Sequence, residues 1–408
     1  MRKRISIEQL TVGMQIEKLD RSWLSTPFLR NRFIVTTVQQ IEQLRACGVR
    51  QIEVDVDEAV LDGGSIEPVL TAEIASPSPE VQPADVSSPP ATTFTEELHA
   101  AKQAYHAAKG VIQQAMEDVR MGDALNMDAV QQVVEGMADS ILRNPDALTS
   151  LSRLKQFDEY TFYHSVNTSL LALSLGRDLG YARPQLMQLG TGMLLHDIGK
   201  TKIPLEILNK PGRYEAHEFE IMKQHVMRGA EVLSETTGLS DMFLKPTMEH
   251  HERVDGTGYP NQRGKTEISE YGLIASIVDI YDAVTSDRCY HKGKSPHETL
   301  QMLFQLGRRG HVDSVMVQRF VRVVGVYPVG SYVSLNTCET AIVIEVNHQA
   351  PMKPRVLIVS DRNGGRLMRP LELDLATQSG QFDRTIDGTL DPETAGIDMS
   401  LYLDARAA

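Results

Sequence analysis

Seven side chains between residues 164 and 279 are of the kinds that hold transition metals: His164, His196, Asp197, His225, His250, His251 and Asp279. A lone histidine in such a region is more often a packing or surface residue than a ligand. Five together with two acids are a different case, above all when His196-Asp197 and His250-His251 are adjacent pairs. Neighbours on a helix diverge by about 100°. An adjacent pair therefore shares one tetrahedral face poorly, yet can reach two ions a few ångströms apart, or one ion and one bridging group. Two-metal hydrolases hold their ions roughly 3.5–4 Å apart. Imidazole and carboxylate without thiolate suit Fe, Mn, Ni, Co or Zn rather than an iron–sulfur cluster. Four residues after the second pair comes Asp255-Gly-Thr-Gly-Tyr-Pro260. Gly256 and Gly258 permit positive φ and close backbone approach to a ligand, and Pro260 fixes the exit. Alone this would be a surface turn; beside the histidine pair it reads as a pocket wall, with the role of Tyr259 open between structural hydroxyl and partner surface.

The elements that must position these groups are helical. From 127 to about 325 the pattern is helical, punctuated by Gly and Pro and lacking strand-like alternation. A long helix is expected ahead of it, from about Thr95 to Met121. Leu98, Tyr105, Ile112 and Val119 recur every seven residues, with Ala101, Ala108 and Ala115 between them. That narrow stripe fits a helix packed on its own domain, or a dimer or signal-coupling helix. Residues 1–60 read as a small α+β unit: a strand at Arg32–Thr36, a short helix at Val38–Cys47, a strand at Gln51–Val56, and Trp23 as a core anchor. Residues 62–93, with six prolines and no Lys or Arg, read as a flexible acidic linker. In the tail, Tyr332–Leu335, Ala341–Val346 and Arg355–Val359 look like short strands and Asn363-Gly-Gly365 like a turn, while 375–408 is acidic and weakly patterned.

Composition narrows the partners. The chain has 408 residues and a net charge of −13, with 41 Lys+Arg against 54 Asp+Glu. Its pI near 5.4 argues against a general grip on DNA or RNA, though not against one small anion held by local cations. The three cysteines, Cys47, Cys289 and Cys338, form no CxxC pair and fit a reducing compartment. The basic Met1-Arg-Lys-Arg start has no apolar stretch behind it, and no run of 18 apolar residues occurs, so a cytoplasmic protein without a membrane span is expected.

Several ordered motifs together resemble one family. His196-Asp197-Ile-Gly-Lys200, then His250-His-Glu-Arg-Val-Asp-Gly-Thr-Gly-Tyr-Pro260, then Asp279-Ile-Tyr-Asp-Ala-Val-Thr-Ser-Asp-Arg-Cys-Tyr290 are similar to the HD-GYP subgroup of HD-superfamily metal-dependent phosphohydrolases. Asn209-Lys-Pro-Gly212, followed by His225, resembles it too. The match spans about 150–330, and Ser22-Trp-Leu-Ser-Thr-Pro-Phe28 resembles a domain of unknown function often found ahead of such domains. The implied architecture is mainly α: a small α+β regulatory domain (1–61), the linker (62–93), a helical connector (94–148), an all-helical HD-type catalytic domain (149–328) and a β-containing extension (329–408).

The resemblance also implies roles. The family hydrolyses cyclic di-GMP to linear pGpG, and in some cases onward to GMP. His164, His196, Asp197 and Asp279 would hold one divalent transition metal, and His225, His250 and His251 a second, with Asp197 bridging; Fe or Mn is favoured. Hydroxide activated by the metals would be the nucleophile, with Asp197 and Lys200 the catalytic protein groups. Lys200 would meet the phosphate, and Asp282, Arg288, Lys292 and the loop residues Gly256, Gly258 and Tyr259 the rest of the substrate. Where some relatives place a glutamate for a third metal this chain has Tyr160, so two metals are expected. The family's loop is implicated in contacts with diguanylate cyclase domains, and a homodimer through the 95–121 stripe is a further expectation. Two rival readings stay open: another cyclic dinucleotide such as cyclic GMP-AMP, or a non-catalytic receptor. The acidic global field would oppose either dinucleotide, so recognition must be local.

Overall fold

The computed structural model describes residues 2–10, 14–19, 33–35, 41, 51–55, 92–152, 160–210, 212–236, 240–286, 293–378 and 383–390. Arg288, Lys292, His291, Cys289, Trp23, Asp158, Glu159 and nearly all of 62–93 lie outside these, as does the helix expected at Val38–Cys47 apart from Ile41. The chain divides into two compact units, Met1–Val81 and Gln82–Ala408.

In the first unit β1 (Arg2–Ser6), β2 (Gln15–Leu19), β3 (Phe33–Ile34) and β4 (Gln51–Asp55) form an antiparallel sheet in the order β1-β4-β2-β3. Ile5 and Ile52 are cross-strand partners and both are buried.

The second unit is a helical body followed by a sheet. It comprises α1 (Phe94–Met121), α2 (Met127–Arg143), α3 (Pro145–Leu151), α4 (Tyr160–Asp178), α5 (Arg183–Leu194), a 3₁₀ turn (Ile198–Lys202), α6 (Leu205–Leu208), α7 (Ala216–Ser234), α8 (Asp241–Glu249), α9 (Glu270–Thr285), α10 (Pro296–Arg308) and α11 (Ser314–Val324). The α1 helix starts where Thr93 accepts the Glu96 amide while Glu96 accepts the Thr93 amide at 2.8 Å, a reciprocal capping box. It ends at Gly122, in the left-handed conformation at φ 89° that closes helices without a Cβ penalty.

The heptad stripe is used within the chain. Leu98, Ala101, Tyr105, Ala108, Ile112, Ala115 and Val119 are all buried against α2, α3, α4 and the 3₁₀ turn. The own-domain alternative is therefore the one adopted, and a dimer through this seam would have to uncover it. At full burial each such Leu, Ile or Val contributes about 1.5–3 kcal/mol, which makes the seam a main support of the connection between α1 and the helical core. The first turn is pinned as well: Arg143 makes two 2.7 Å bonds to the Glu97 carboxylate, and Asn144 donates to the Thr92 carbonyl at 2.9 Å.

The tail forms an antiparallel sheet ordered β8-β7-β6-β5-β9, from β5 (Tyr332–Leu335), β6 (Thr340–Glu345), β7 (Arg355–Ser360), β8 (Arg366–Asp374) and β9 (Ile386–Leu390). The central strands agree with the expected ones within a residue. The two edge strands were not expected, and β9 lies within the stretch 375–408 that reads as weakly patterned. The turn at Asn363-Gly-Gly365 does join β7 to β8, with the Asp361 amide on the Gly365 carbonyl at 2.8 Å and Gly364 at φ 81°.

Candidate metal centre

Two pairs of residues three apart meet where α4 packs on α9. His164 and Asn167 lie on one face of α4, and Asp279 and Asp282 on the facing side of α9. His164 Nε2 is 3.1 Å from Asp279 Oδ1, and its Nδ1 is bonded to Asp282 Oδ2 at 2.8 Å. His196 and Asp197 follow the end of α5, with the His196 ring held by its Nδ1–H on the Met193 carbonyl at 2.7 Å. His225 is mid-α7 and bonds the Met222 carbonyl through Nδ1 at 2.7 Å. His250 terminates α8, where its Nδ1 reaches the carbonyls of Pro246 and Thr247 at 2.9 and 3.0 Å.

Close backbone packing lets these elements converge. A Cβ on Gly199 would fall 2.0 Å from the His225 carbonyl oxygen and 2.4 Å from the Gly229 nitrogen. The bare Cα lets α7 lie directly on the 3₁₀ turn that follows Asp197. Gly192 plays the same part between α5 and α8, where a Cβ would lie 2.5 Å from the Phe243 carbonyl.

The result is a single buried cluster. Three groups of ligand-type atoms each lie within 4.8 Å: His225, His250 and His251; His164, His196 and Asp279; and His196, Asp197 and His250. Asp197 sits between them. Its Oδ2 is 3.6 Å from His164 Nε2 and 3.5 Å from His196 Nε2, and its Oδ1 is 3.5 Å from His225 Nε2 and 3.8 Å from His250 Nε2. All seven residues singled out in the sequence thus come together.

The donor set fits divalent cations. In neutral His196, His225 and His250 the proton belongs on Nδ1, against a carbonyl, so each Nε2 offers a lone pair to the centre. Among the described residues, the Nε2 of His196 and the Oδ1 of Asp197 are buried without a hydrogen-bond partner. Such atoms cost free energy unless something positive meets them. Burial depresses His225 and His250 and takes His251 down to about 3, keeping these imidazoles neutral. Burial would raise Asp197, but Lys200 and the surrounding imidazoles hold its carboxyl well below the usual range. Asp279 is likewise held down, by His164 and His196. His164 differs: burial lowers it, yet the Asp279 and Asp282 carboxylates more than offset this and raise it to about 9.

The expected substrate groups have mixed placements. Lys200 pairs with Asp197 at 2.5 Å and keeps its ammonium partly exposed. Tyr259 stacks on His251, ring centroids 4.6 Å apart, with Phe219 edge-on and the Lys223 ammonium 5.6 Å above the tyrosine ring. Gly256 has φ +77°, as expected, whereas Gly258 serves an approach to the chain itself: a Cβ there would lie 2.4 Å from the Arg253 nitrogen. Asp282, expected at the substrate, lies behind His164. It is 1% exposed and backs His164 from the side away from the cluster, bonding Asn167 as well. A carboxylate so placed can orient an imidazole for metal binding through its other nitrogen. The side chain of Tyr160 lies outside the described residues.

Sequence reading missed Asn167, Glu249 and Glu252. Glu249, fully buried, takes Arg263 at 2.5 Å and the Ser269 amide at 2.8 Å; Glu252 takes the amides of Asn261 and Arg263 at 2.7 and 3.0 Å. Both anchor the loop carrying Tyr259. Their positions beside His250 and His251 were the available signal. Of the histidines outside the motifs, His297 and His348 bond the carbonyls of Val326 and Arg322, away from the cluster.

A fold of packed helices around a buried His/Asp cluster defines the class, and comparison agrees. A model of the HD domain matches residues 136–316, one of a domain of unknown function (DUF3391) matches 2–130, and one of a KOW domain associated with the HD domain matches 332–394. The chain belongs to the HD-domain family of metal-dependent phosphohydrolases, among the members that carry the Gly-Tyr-Pro loop. It is 34% identical over 387 residues, 95% of its own length and 92% of the relative's, to a cyclic di-GMP phosphodiesterase of Pseudomonas aeruginosa. It is 32% identical over 179 residues, 43% of the chain and 48% of the relative, to a cyclic di-GMP phosphodiesterase of Thermotoga maritima. It is 35% identical over 128 residues, 31% of the chain and 24% of the relative, to a 3'3'-cGAMP-specific phosphodiesterase of Vibrio cholerae. Among the described residues no helix is long and apolar enough to cross a membrane.

Proposed function

We propose that this chain is a metal-dependent phosphodiesterase that opens cyclic di-GMP to linear pGpG. The carrying observation is the ligand-type groups gathered around Asp197, with lone pairs turned inward and a buried carboxylate oxygen without a donor among the described residues. The near full-length likeness to a relative named for this activity supports the substrate. In this reading His164, His196, Asp197 and Asp279 would hold one divalent transition metal, and His225, His250 and His251 a second, with Asp197 placed between the two groups. Bound there, the two ions would activate a water for attack and polarise the phosphoryl group.

The chain's own groups do the rest. The carbonyls behind His196, His225 and His250 fix the tautomers, so that no proton competes for Nε2. Lys200, a compact cation on the rim, faces the non-bridging phosphate oxygens and stabilises charge that builds on them. Tyr259, stacked on His251, walls one side and excludes water from the reacting centre. Fe or Mn is the favoured metal and the cytoplasm the expected setting.

Turnover of cyclic di-GMP, cyclic GMP-AMP and a linear diester by Mn- or Fe-loaded protein tests the reading, with Asp197→Ala as the inactive control. Cleavage of cyclic di-GMP, lost in the variant, is expected. Turnover of cyclic GMP-AMP alone would move the substrate, and tight binding without turnover would make the chain a receptor.

A further inference from the structure

Hydrogen bonds run without a break from the first helix of the second unit to a metal-facing imidazole. Tyr105 on α1, 1% exposed, donates its hydroxyl to Asn167 Oδ1 at 2.8 Å. Asn167 Nδ2 donates to Asp282 Oδ1 at 3.0 Å and to the Ser152 carbonyl at 3.3 Å. Asp282 Oδ2 takes His164 Nδ1 at 2.8 Å. Chemistry sets the direction. A carboxylate and a carbonyl only accept, so Asn167 must turn its NH₂ to both, and its oxygen then needs a donor. The Tyr105 hydroxyl is that donor.

The arrangement makes one oxygen atom decisive. Without it, a fully buried amide oxygen has lost its partner. Rotating the amide to repair the loss would set an oxygen against the Asp282 carboxylate and withdraw the Asn167 bond that holds this carboxylate against His164. Tyr105 also stacks on Tyr163, the neighbour of His164, at 6.1 Å between ring centroids. At the other end of α1 the Lys202 ammonium donates to the Val119 carbonyl at 2.7 Å, tying the helix to the turn that follows Asp197.

We propose that Tyr105 is a positioning residue of the metal centre, through which the seating of α1 sets the orientation of His164. Tyr105 lies among the residues matched by the DUF3391 model and outside those matched by the HD model. The centre is thus completed by a helix that the catalytic motifs do not include, and anything that shifts α1 along or around its axis acts on one metal position before the other. The inference rests on His164 being a metal ligand.

Full-length Tyr105→Phe, titrated calorimetrically with Mn²⁺ and followed by the visible spectrum of the Co²⁺ form, tests it. The expected result is about 10- to 100-fold weaker binding of one metal equivalent, in the range for a lost outer partner of a ligand. The second equivalent stays unchanged, the Co²⁺ spectrum is altered, and kcat falls more than KM rises. Ile112→Val, on the same buried stripe but with no hydrogen bond to lose, should lower thermal stability while leaving both metals in place. Tyr105→Phe combined with Asn167→Ala should cost no more than the worse single change, as one chain broken twice. Unchanged metal binding in Tyr105→Phe, equal weakening by Ile112→Val, or additive losses would each overturn the proposal. Failure of the underlying reading would look different: wild-type protein would take up no metal, or His164→Ala would keep full stoichiometry.

Discussion

His225 and His250 face each other through their Nε2 atoms at 3.3 Å, while the Nδ1 of each ring rests on a backbone carbonyl. With both protons spent on carbonyls, two lone pairs point at one another inside a buried site. That contact favours a cation between them, and burial, which disfavours the charged form, keeps both imidazoles neutral.

Removing metals should therefore cost stability as well as activity. Exhaustive chelation is expected to lower the thermal midpoint, and readdition of Mn²⁺ to restore it in a concentration-dependent way. A ligand at 100 times its dissociation constant adds about 2.7 kcal/mol. Calorimetric scans with and without chelator make the comparison, and coincident midpoints would count against a metal centre.

Gly199→Ala should damage the centre without touching a ligand. The new methyl would overlap the His225 carbonyl and the Gly229 nitrogen, both of them backbone, so α7 must retreat. Overpacking of this kind costs about 1–3 kcal/mol, at times more. Loss of one metal equivalent by elemental analysis, together with a lowered midpoint, is the expected pair of results; full metal content would show that α7 can yield without moving His225.

Tyr259→Phe should be close to wild type, and Tyr259→Ala should not. The stack on His251 and the edge contact with Phe219 use the ring, not the hydroxyl. Steady-state kinetics on both variants separates the contributions, and an equal loss in the two would mean that the hydroxyl carries the function.

Acid should loosen the start of α1. Burial alone would raise the Glu97 carboxyl, but the two bonds from Arg143, aided by Ser140 and Thr92, hold it below its ordinary 4.5. A carboxyl depressed in the folded state adds stability that is complete above the unfolded value and disappears as pH falls through the folded one. Wild-type protein should thus lose more stability than Glu97→Gln between neutral pH and the region below 4.5, as read from urea midpoints across that range.

The candidate ligands were legible because chemistry chose their residue types and kept them in recognisable strings; their convergence on Asp197 required α4, α7, α8 and α9 to meet in space. The α1 stripe was legible as a seam, but a heptad of Leu, Ala, Tyr and Ile looks the same whether it faces a second chain or its own core. β8 and β9 escaped notice for a related reason. Both are edge strands; β8 carries Pro370 and a largely exposed surface, with Met368 98% exposed, so alternation has nothing to record. The place of Asp282 behind His164 was not legible, because its string reads as one motif although three residues along α9 separate a side chain at the cluster from one behind the ring.

The clamp on the first turn of α1 bears on where this protein can be cut and rejoined. Sequence similarity draws a line between residues 130 and 136, whereas the Glu97–Arg143 and Thr92–Asn144 bonds and the buried seam place everything from Thr92 onward with the helical body. A chimera spliced at the similarity line would import a foreign α1, and with it a foreign residue at the position of Tyr105. One spliced before Thr92 would exchange the leading unit and leave the hydrogen-bond chain behind His164 entirely native.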